Sequence, residues 1–302
     1  MSVEIKKITT ESINEKTKHI DQMSTLDILK VINEEDQTVP LVVGSVIPQI
    51  AKVVDVATPL LEKGGRLIYL GAGTSGRIGL LDASECPPTY GVSKDTIMGM
   101  LAGGIEAFSQ AKEGAEDSIE LAVSDLKKIN LSQDDILVGI AASGRTPYVV
   151  GGIKYAKELG VKTACIVNAK GSVLAEIVDY PIEAVTGSEV INGSTRMKSG
   201  TAQKLICNML STTIMIKLGH VYQNLMIDLV ASNEKLVARQ INILKEALDV
   251  SEDEAALLFQ KYGTVKNAIF GYLTNIKSAK EVETVLAKHH NNLRKALEEY
   301  QK

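Results

Sequence analysis

Leu67-Ile68-Tyr69-Leu70 runs without a polar break into Gly71-Ala72-Gly73-Thr74-Ser75-Gly76, and this passage decides the fold. A short apolar run ending in a glycine-rich turn predicts a strand buried on both faces and delivered into the start of a helix. The arrangement returns at Ile136-Leu137-Val138-Gly139-Ile140, which enters Ala141-Ala142-Ser143-Gly144-Arg145-Thr146. A third run, Thr163-Ala164-Cys165-Ile166-Val167, ends in Asn168-Ala169, and a weaker one follows at Tyr180-Pro181-Ile182. Between these runs lie stretches long enough for helices, among them residues 104–127 and 147–159. Short apolar strands alternating with helices predict an α/β fold, three layers deep, around a parallel sheet.

Outward from this centre the character changes. Residues 1–40 are polar and charged, with a weak helical period at Ile13, Ile20, Leu26, Leu29 and Ile32. They predict helical arms. Residues 40–62 are strongly apolar and predict a buried helix stopped by Lys63-Gly64-Gly65. Residues 193–217 are apolar on nearly every side, which suits a helix of the core or of a subunit interface. Beyond Val230 the pattern is that of soluble amphipathic helices. Ser251-x-x-Glu254 and Ser278-x-x-Glu281 read as capping boxes and Gly263 as a helix stop. The expected organisation is an N-terminal helical arm over 1–55, a central α/β domain over 56–230 and a C-terminal helical bundle over 231–302.

Composition narrows the function classes. The chain has 302 residues, 45% hydrophobic and 23% charged, with a net charge of −4, so no basic surface recruits nucleic acid or an anionic membrane. No run approaches the roughly 20 apolar residues of a membrane span, and Met1-Ser2-Val3-Glu4-Ile5-Lys6-Lys7 carries no apolar signal segment. Cys86, Cys165 and Cys207 lie far apart, as in a reducing cytoplasm, and show neither disulfide nor zinc spacing. His19, His220, His289 and His290 form no ligand motif, so no transition-metal site is expected.

Gly71-x-Gly73-x-x-Gly76 matches the dinucleotide fingerprint literally and admits a nicotinamide dehydrogenase as one reading. Thr74 and Ser75 argue for another, because their hydroxyls can donate to a terminal phosphate. Ser-Gly-Arg also recurs at 75–77 and 143–145, each time just after a strand. Either loop alone reads equally as an ordinary turn between strand and helix. Together they favour a phosphate gripped at the carboxyl edge of the sheet, where helix N-termini present free N–H groups to an anion.

Two groups of carboxylates lie near these loops in sequence. Glu85 stands on the helix that should follow the first loop, and Pro87-Pro88 is expected to end that helix just after it. A carboxylate held there would serve as a general acid or base, although spacing alone reads more simply as a solvated helix end. Glu106, Glu113, Glu116, Asp117 and Glu120 crowd the next helical stretch. By composition that is an exposed acidic face, and nothing intrinsic selects one member.

Several blocks together resemble one family. They are Gly71-Ala72-Gly73-Thr74-Ser75-Gly76-Arg77-Ile78-Gly79-Leu80-Leu81-Asp82-Ala83-Ser84-Glu85-Cys86-Pro87-Pro88-Thr89, then Gly114-Ala115-Glu116-Asp117, then Ala142-Ser143-Gly144-Arg145-Thr146-Pro147-Tyr148-Val149. The last is Asn192-Gly193-Ser194-Thr195-Arg196-Met197-Lys198-Ser199-Gly200-Thr201-Ala202-Gln203-Lys204. The pattern, over about residues 11–233, is similar to the N-acetylmuramic acid 6-phosphate etherases, enzymes of the sugar isomerase (SIS) fold.

The resemblance implies a cytoplasmic lyase, paired as a homodimer, that uses neither metal nor organic cofactor. It implies Glu85 as the acid on the departing lactyl oxygen and Glu116 as the group that takes the proton from carbon 2. For the phosphosugar it implies Gly73, Thr74, Ser75, Gly76, Arg77, Ser84, Ser143, Gly144, Arg145, Thr146, Ser194, Thr195 and Lys198. Arg77, Arg196 and Lys198 carry the charge to meet the phosphate or the lactyl carboxylate, or else form structural ion pairs. Two other functions occur on this fold: sugar-phosphate-sensing regulators, including a glucokinase regulatory protein, and aldose–ketose isomerases. The pair of glutamates favours the lyase.

Overall fold

The computed structural model describes residues 12–110, 112–229 and 234–300, so the start of the N-terminal arm lies outside the described residues. Two compact units emerge, Met1–Ser84 with Lys94–Ser211 and Glu85–Ser93 with Thr212–Lys302. In the first, short 3-10 turns at Glu15–Thr17 and Ile20–Gln22 lead into α1 (Thr25–Asp36), α2 (Val39–Ser45) and α3 (Ile47–Glu62). The single helix expected over 40–62 is therefore two. Pro48 has no N–H to continue α2, and it sits instead in the first turn of α3, where that N–H is not needed.

The sheet has five parallel strands, β1 (Leu67–Gly71), β2 (Ile97–Leu101), β3 (Ile136–Ile140), β4 (Lys162–Val167) and β5 (Tyr180–Glu183), in the order β2-β1-β3-β4-β5. Helices α4 (Gly73–Tyr90), α5 (Ile119–Lys128), α6 (Pro147–Glu158), α7 (Val173–Ile177) and α8 (Lys198–Lys217) accompany it. Strand alternation divides the packing. Ile68, Leu70 and Leu137 join Leu126 of α5 and Val149 and Ile153 of α6 in one apolar cluster.

Tyr69 points the other way, and its hydroxyl donates to the buried carboxylate of Asp82 on α4 at 3.0 Å. Asp82 also accepts from Asn208 Nδ2 (2.6 Å) and Ser211 Oγ (3.1 Å), both on α8. Burial pushes the Asp82 carboxyl above its usual range, and these hydrogen bonds offset the rise in part. At the opposite edge of the sheet Arg66 grips Asp135 through Nε (2.9 Å) and Nη2 (2.6 Å), joining the starts of β1 and β3.

Three further expectations are corrected. Strand β2 adds to the expected strands, since Met98 and Gly99 break the β-branched pattern by which a strand is read. The helix expected over 104–127 begins only at Ile119; before it come 3-10 turns at Ile105–Phe108 and Ala115–Asp117. Helix α4 does not stop after Glu85 but continues through Pro87 and Pro88 to Tyr90. Both prolines fall in its last turn, where each forgoes an N–H bond to the carbonyl four residues earlier, and the helix ends two residues after Pro88. The helix closes with Gly91 N–H on the Pro87 carbonyl at 2.9 Å.

The second unit holds a hairpin of β6 (Val221–Tyr222) and β7 (Leu225–Met226), then α9 (Glu234–Leu248), α10 (Glu252–Tyr262), α11 (Val265–Thr274), α12 (Ala279–Lys288) and α13 (Leu293–Tyr300). Ser251 accepts from the Glu254 N–H and Ser278 from the Glu281 N–H, as their spacing predicts. Gly263 ends α10 in the left-handed region at φ 79°. Leu244, Ile269, Phe270, Leu286 and Leu293 form the core of this bundle. Among the described residues no single helix is long and apolar enough to cross a membrane.

Candidate functional site

The strand order creates the site. From β1 the chain goes outward to β2, then returns to add β3 on the other side of β1. Such a reversal leaves a crevice at the carboxyl ends of the two central strands, the usual ligand position in open α/β sheets. Gly71 stands in register with Ile140, so the two Ser/Gly-rich loops leave the sheet side by side.

In the first loop Gly71 and Gly76 pack backbone to backbone. A Cβ on Gly71 would lie 2.6 Å from the Gly76 nitrogen, and one on Gly76 would lie 2.6 Å from the Gly71 oxygen. The glycine spacing thus serves close approach of α4 to β1. It leaves Thr74 and Ser75 half-buried on the first turn of the helix.

The second loop is tied on both sides. Gly144 N–H donates to Ala141 O (3.0 Å), its own carbonyl accepts from Leu174 N–H (3.0 Å), and Asn168 N–H donates to Ala142 O (2.9 Å). Thr146 precedes Pro147 at the start of α6 without spending its hydroxyl on a cap. Gly144 has φ +63°, and a Cβ there would meet Ser172 Oγ at 2.2 Å. Gly144→Ala is therefore expected to cost about 1–3 kcal/mol, seen as a thermal midpoint several degrees lower in calorimetry. An unchanged midpoint would show that the loop relaxes freely.

Beside the first loop lies a cavity of about 200 Å³ whose lining includes Gly73, Arg77, Leu101, Ala102, Lys112 and Glu116. Glu116 is exposed on the Ala115–Asp117 turn, which Gly114 introduces in the left-handed region at φ 73°. Of the crowded carboxylates, Glu113 and Glu116 line this cavity. Arg77 forms one wall while its Nε and Nη2 donate to the carbonyls of Phe108 and Ala107, each at 2.8 Å. Its guanidinium holds the Ile105–Phe108 turn in place.

Ser84 and Glu85 are exposed on α4, and Ser84 Oγ turns back to the Leu81 carbonyl at 2.8 Å. Glu85 does not line the cavity. Ser194 and Thr195 are half-buried in the turn before α8, where their carbonyls accept from the N–H groups of Met197 (3.2 Å) and Gly200 (3.0 Å). Arg145 and Arg196 are exposed.

Lys198 is buried, and its ammonium binds Glu35 at 2.6 Å, so its charge is met by a structural partner. Glu189, fully buried, accepts from the N–H groups of Lys198 and Ser199, each at 2.9 Å, and caps α8 with its carboxylate. Sequence reasoning missed Lys112 in the cavity wall and the roles of Glu35 and Glu189. Glu189 and Lys112 carry no local signal, Glu189 lying nine residues before Lys198; Glu35 stands in Ile32-Asn33-Glu34-Glu35-Asp36, which also fits the family pattern.

Two family models match the chain, the glucokinase regulatory protein N-terminal SIS domain over residues 49–157 and the SIS domain over residues 118–213. A phosphoheptose isomerase from Francisella tularensis, 20% identical, superposes with a TM-score of 0.50 over 65% of this chain and 100% of that one, which supports the fold. Curated relatives match far more fully. N-acetylmuramic acid 6-phosphate etherase of Escherichia coli O1:K1 is 51% identical over 98% of this chain and 99% of its own. The etherase of Halalkalibacterium halodurans is 51% identical over 97% and 98%, and that of Clostridium beijerinckii 50% over 99% and 98%. With half of its residues shared from end to end, and with the SIS sheet and loops in place, the chain belongs to the N-acetylmuramic acid 6-phosphate etherase family.

Proposed function

We propose that this chain cleaves the lactyl ether of N-acetylmuramic acid 6-phosphate, giving N-acetylglucosamine 6-phosphate and D-lactate. The observation that carries the reading is the shared cavity of Gly73, Arg77 and Glu116, beside the first Ser/Gly-rich loop at the carboxyl ends of β1 and β2. Family membership supplies the substrate. The loops at 73–76 and 143–146, with Ser194 and Thr195, take the phosphate, and its binding orients the sugar far from the reacting carbons.

An ether is a poor leaving group, so direct displacement at carbon 3 would be slow. In the ring-opened sugar, carbon 2 adjoins an aldehyde and its proton becomes acidic. Glu116 takes that proton; the carbon 3–oxygen bond breaks, and Glu85 protonates the departing lactyl oxygen. Water then adds to the unsaturated aldehyde, its hydroxyl to carbon 3 and a proton to carbon 2. The chain works in the cytoplasm as a homodimer without metal or organic cofactor.

Incubation with N-acetylmuramic acid 6-phosphate in ¹⁸O-labelled water tests this. Equimolar D-lactate and amino sugar phosphate are expected, with the label on sugar carbon 3 and none in lactate. Label in lactate would place the cleavage on the lactyl side, and a ketose phosphate without lactate would make the chain an isomerase.

A further inference from the structure

The second unit contains a larger cavity, about 540 Å³, that the proposed lyase chemistry does not use. Its volume falls within the roughly 300–1,000 Å³ of small-molecule sites. Ile227, Leu229 and Phe259 give it apolar walls. Its charges are internally matched: the Asp228 carboxylate receives both Lys266 Nζ and His220 Nδ1, the latter at 2.7 Å. Lys266, buried, also donates to the Asn291 carbonyl at 2.9 Å.

Gln240 stands out in this lining. It is only 8% exposed, and its Nε2 donates to the Leu229 carbonyl at 2.7 Å. Its Oε1, however, has no hydrogen-bond partner among the described residues. A buried acceptor without a donor costs free energy that a ligand O–H or N–H can recover. Asn267 also lines the cavity, with its Nδ2 donating to the Tyr262 carbonyl at 3.3 Å.

We propose that this cavity binds a neutral, unphosphorylated sugar ring. The Gln240 acceptor calls for a ligand with a hydroxyl or amide N–H donor. The apolar walls suit the C–H face of a pyranose. A phosphate is disfavoured because Asp228 already meets the Lys266 charge. Every residue of its lining belongs to the second unit.

Saturation-transfer NMR on the full chain, with N-acetylglucosamine and glucose as probes, tests the proposal. Saturable binding is expected, weakened about five- to tenfold by Gln240→Leu and also by Phe259→Leu, which tests the wall should the first variant fail to fold. Ser143→Ala should leave it unchanged, and N-acetylglucosamine 6-phosphate should not compete. No binding by either neutral sugar up to about 20 mM, beyond the millimolar range of weak sites, would overturn the proposal. So would binding lost in Ser143→Ala yet unaffected by both cavity variants, which would place the sugar at the loops of the first unit.

Discussion

Glu116→Gln is expected to lower D-lactate release by about 10²–10⁴-fold with the fold intact. The side chain is exposed on a short turn and contributes nothing to the buried core, so the amide should be accommodated without a change in thermal midpoint. What the amide cannot do is accept the carbon 2 proton. The loss should fall on kcat rather than KM, because the group acts on the transition state.

Glu85→Gln is expected to be comparably slow for a different reason, since it removes the proton donor to the leaving oxygen. Solvent exchange separates the two. In deuterium oxide, Glu85→Gln should still exchange the carbon 2 hydrogen of the substrate, whereas Glu116→Gln should not. Turnover near wild type in either variant, or exchange persisting in Glu116→Gln, would reassign the roles.

Glu35→Leu is expected to destabilise the protein by about 3–5 kcal/mol, the cost of leaving a buried charge without its partner. Lys198 is 4% exposed and Glu35 8%, and Lys16 approaches the same carboxylate from the surface at 2.9 Å. The double variant Glu35→Leu with Lys198→Met should recover most of the loss, because two apolar side chains replace the pair without an orphaned charge. Urea denaturation of both variants checks this, and a double variant no better than the single would deny the pairing its role.

The pair also sets a pH dependence. Burial alone would raise the Glu35 carboxyl, but hydrogen bonds and charge from Lys198 and Lys16 outweigh it and hold the group below the usual carboxylate range. A carboxyl lowered on folding stabilises the native state above its unfolded pKa, and that contribution is lost as pH falls through the folded value. Wild type should therefore lose more stability between pH 5 and 3 than the double variant does.

Much of this molecule could be read from its residues. The strands at 67–71 and 136–140 are unbroken apolar runs, and such runs have few alternatives in a chain this long. The caps at Ser251 and Ser278 are local chemistry and were legible for that reason. Strand β2 was not, because its identity lies in its neighbour: Gly99 is there to admit the backbone of Leu80, where a Cβ would stand 2.3 Å away. Pro87 and Pro88 end the helix later than their position suggests, because proline's fixed φ is itself helical and only its N–H bond is forgone. The loops announced themselves by composition. Glu116 did not, and only the fold of residues 97–117 sets it beside Gly73.

The order of the sheet has a consequence for biogenesis. β1, synthesised first, occupies an interior position, yet its neighbour β3 leaves the ribosome only after residues 72–135. Until β4 follows, each partial sheet exposes a hydrophobic, hydrogen-bonding margin of the kind that nucleates association between nascent chains. Growth in one direction, from β1 through β3 and β4 to β5, limits that exposure to one advancing edge plus the margin at β2.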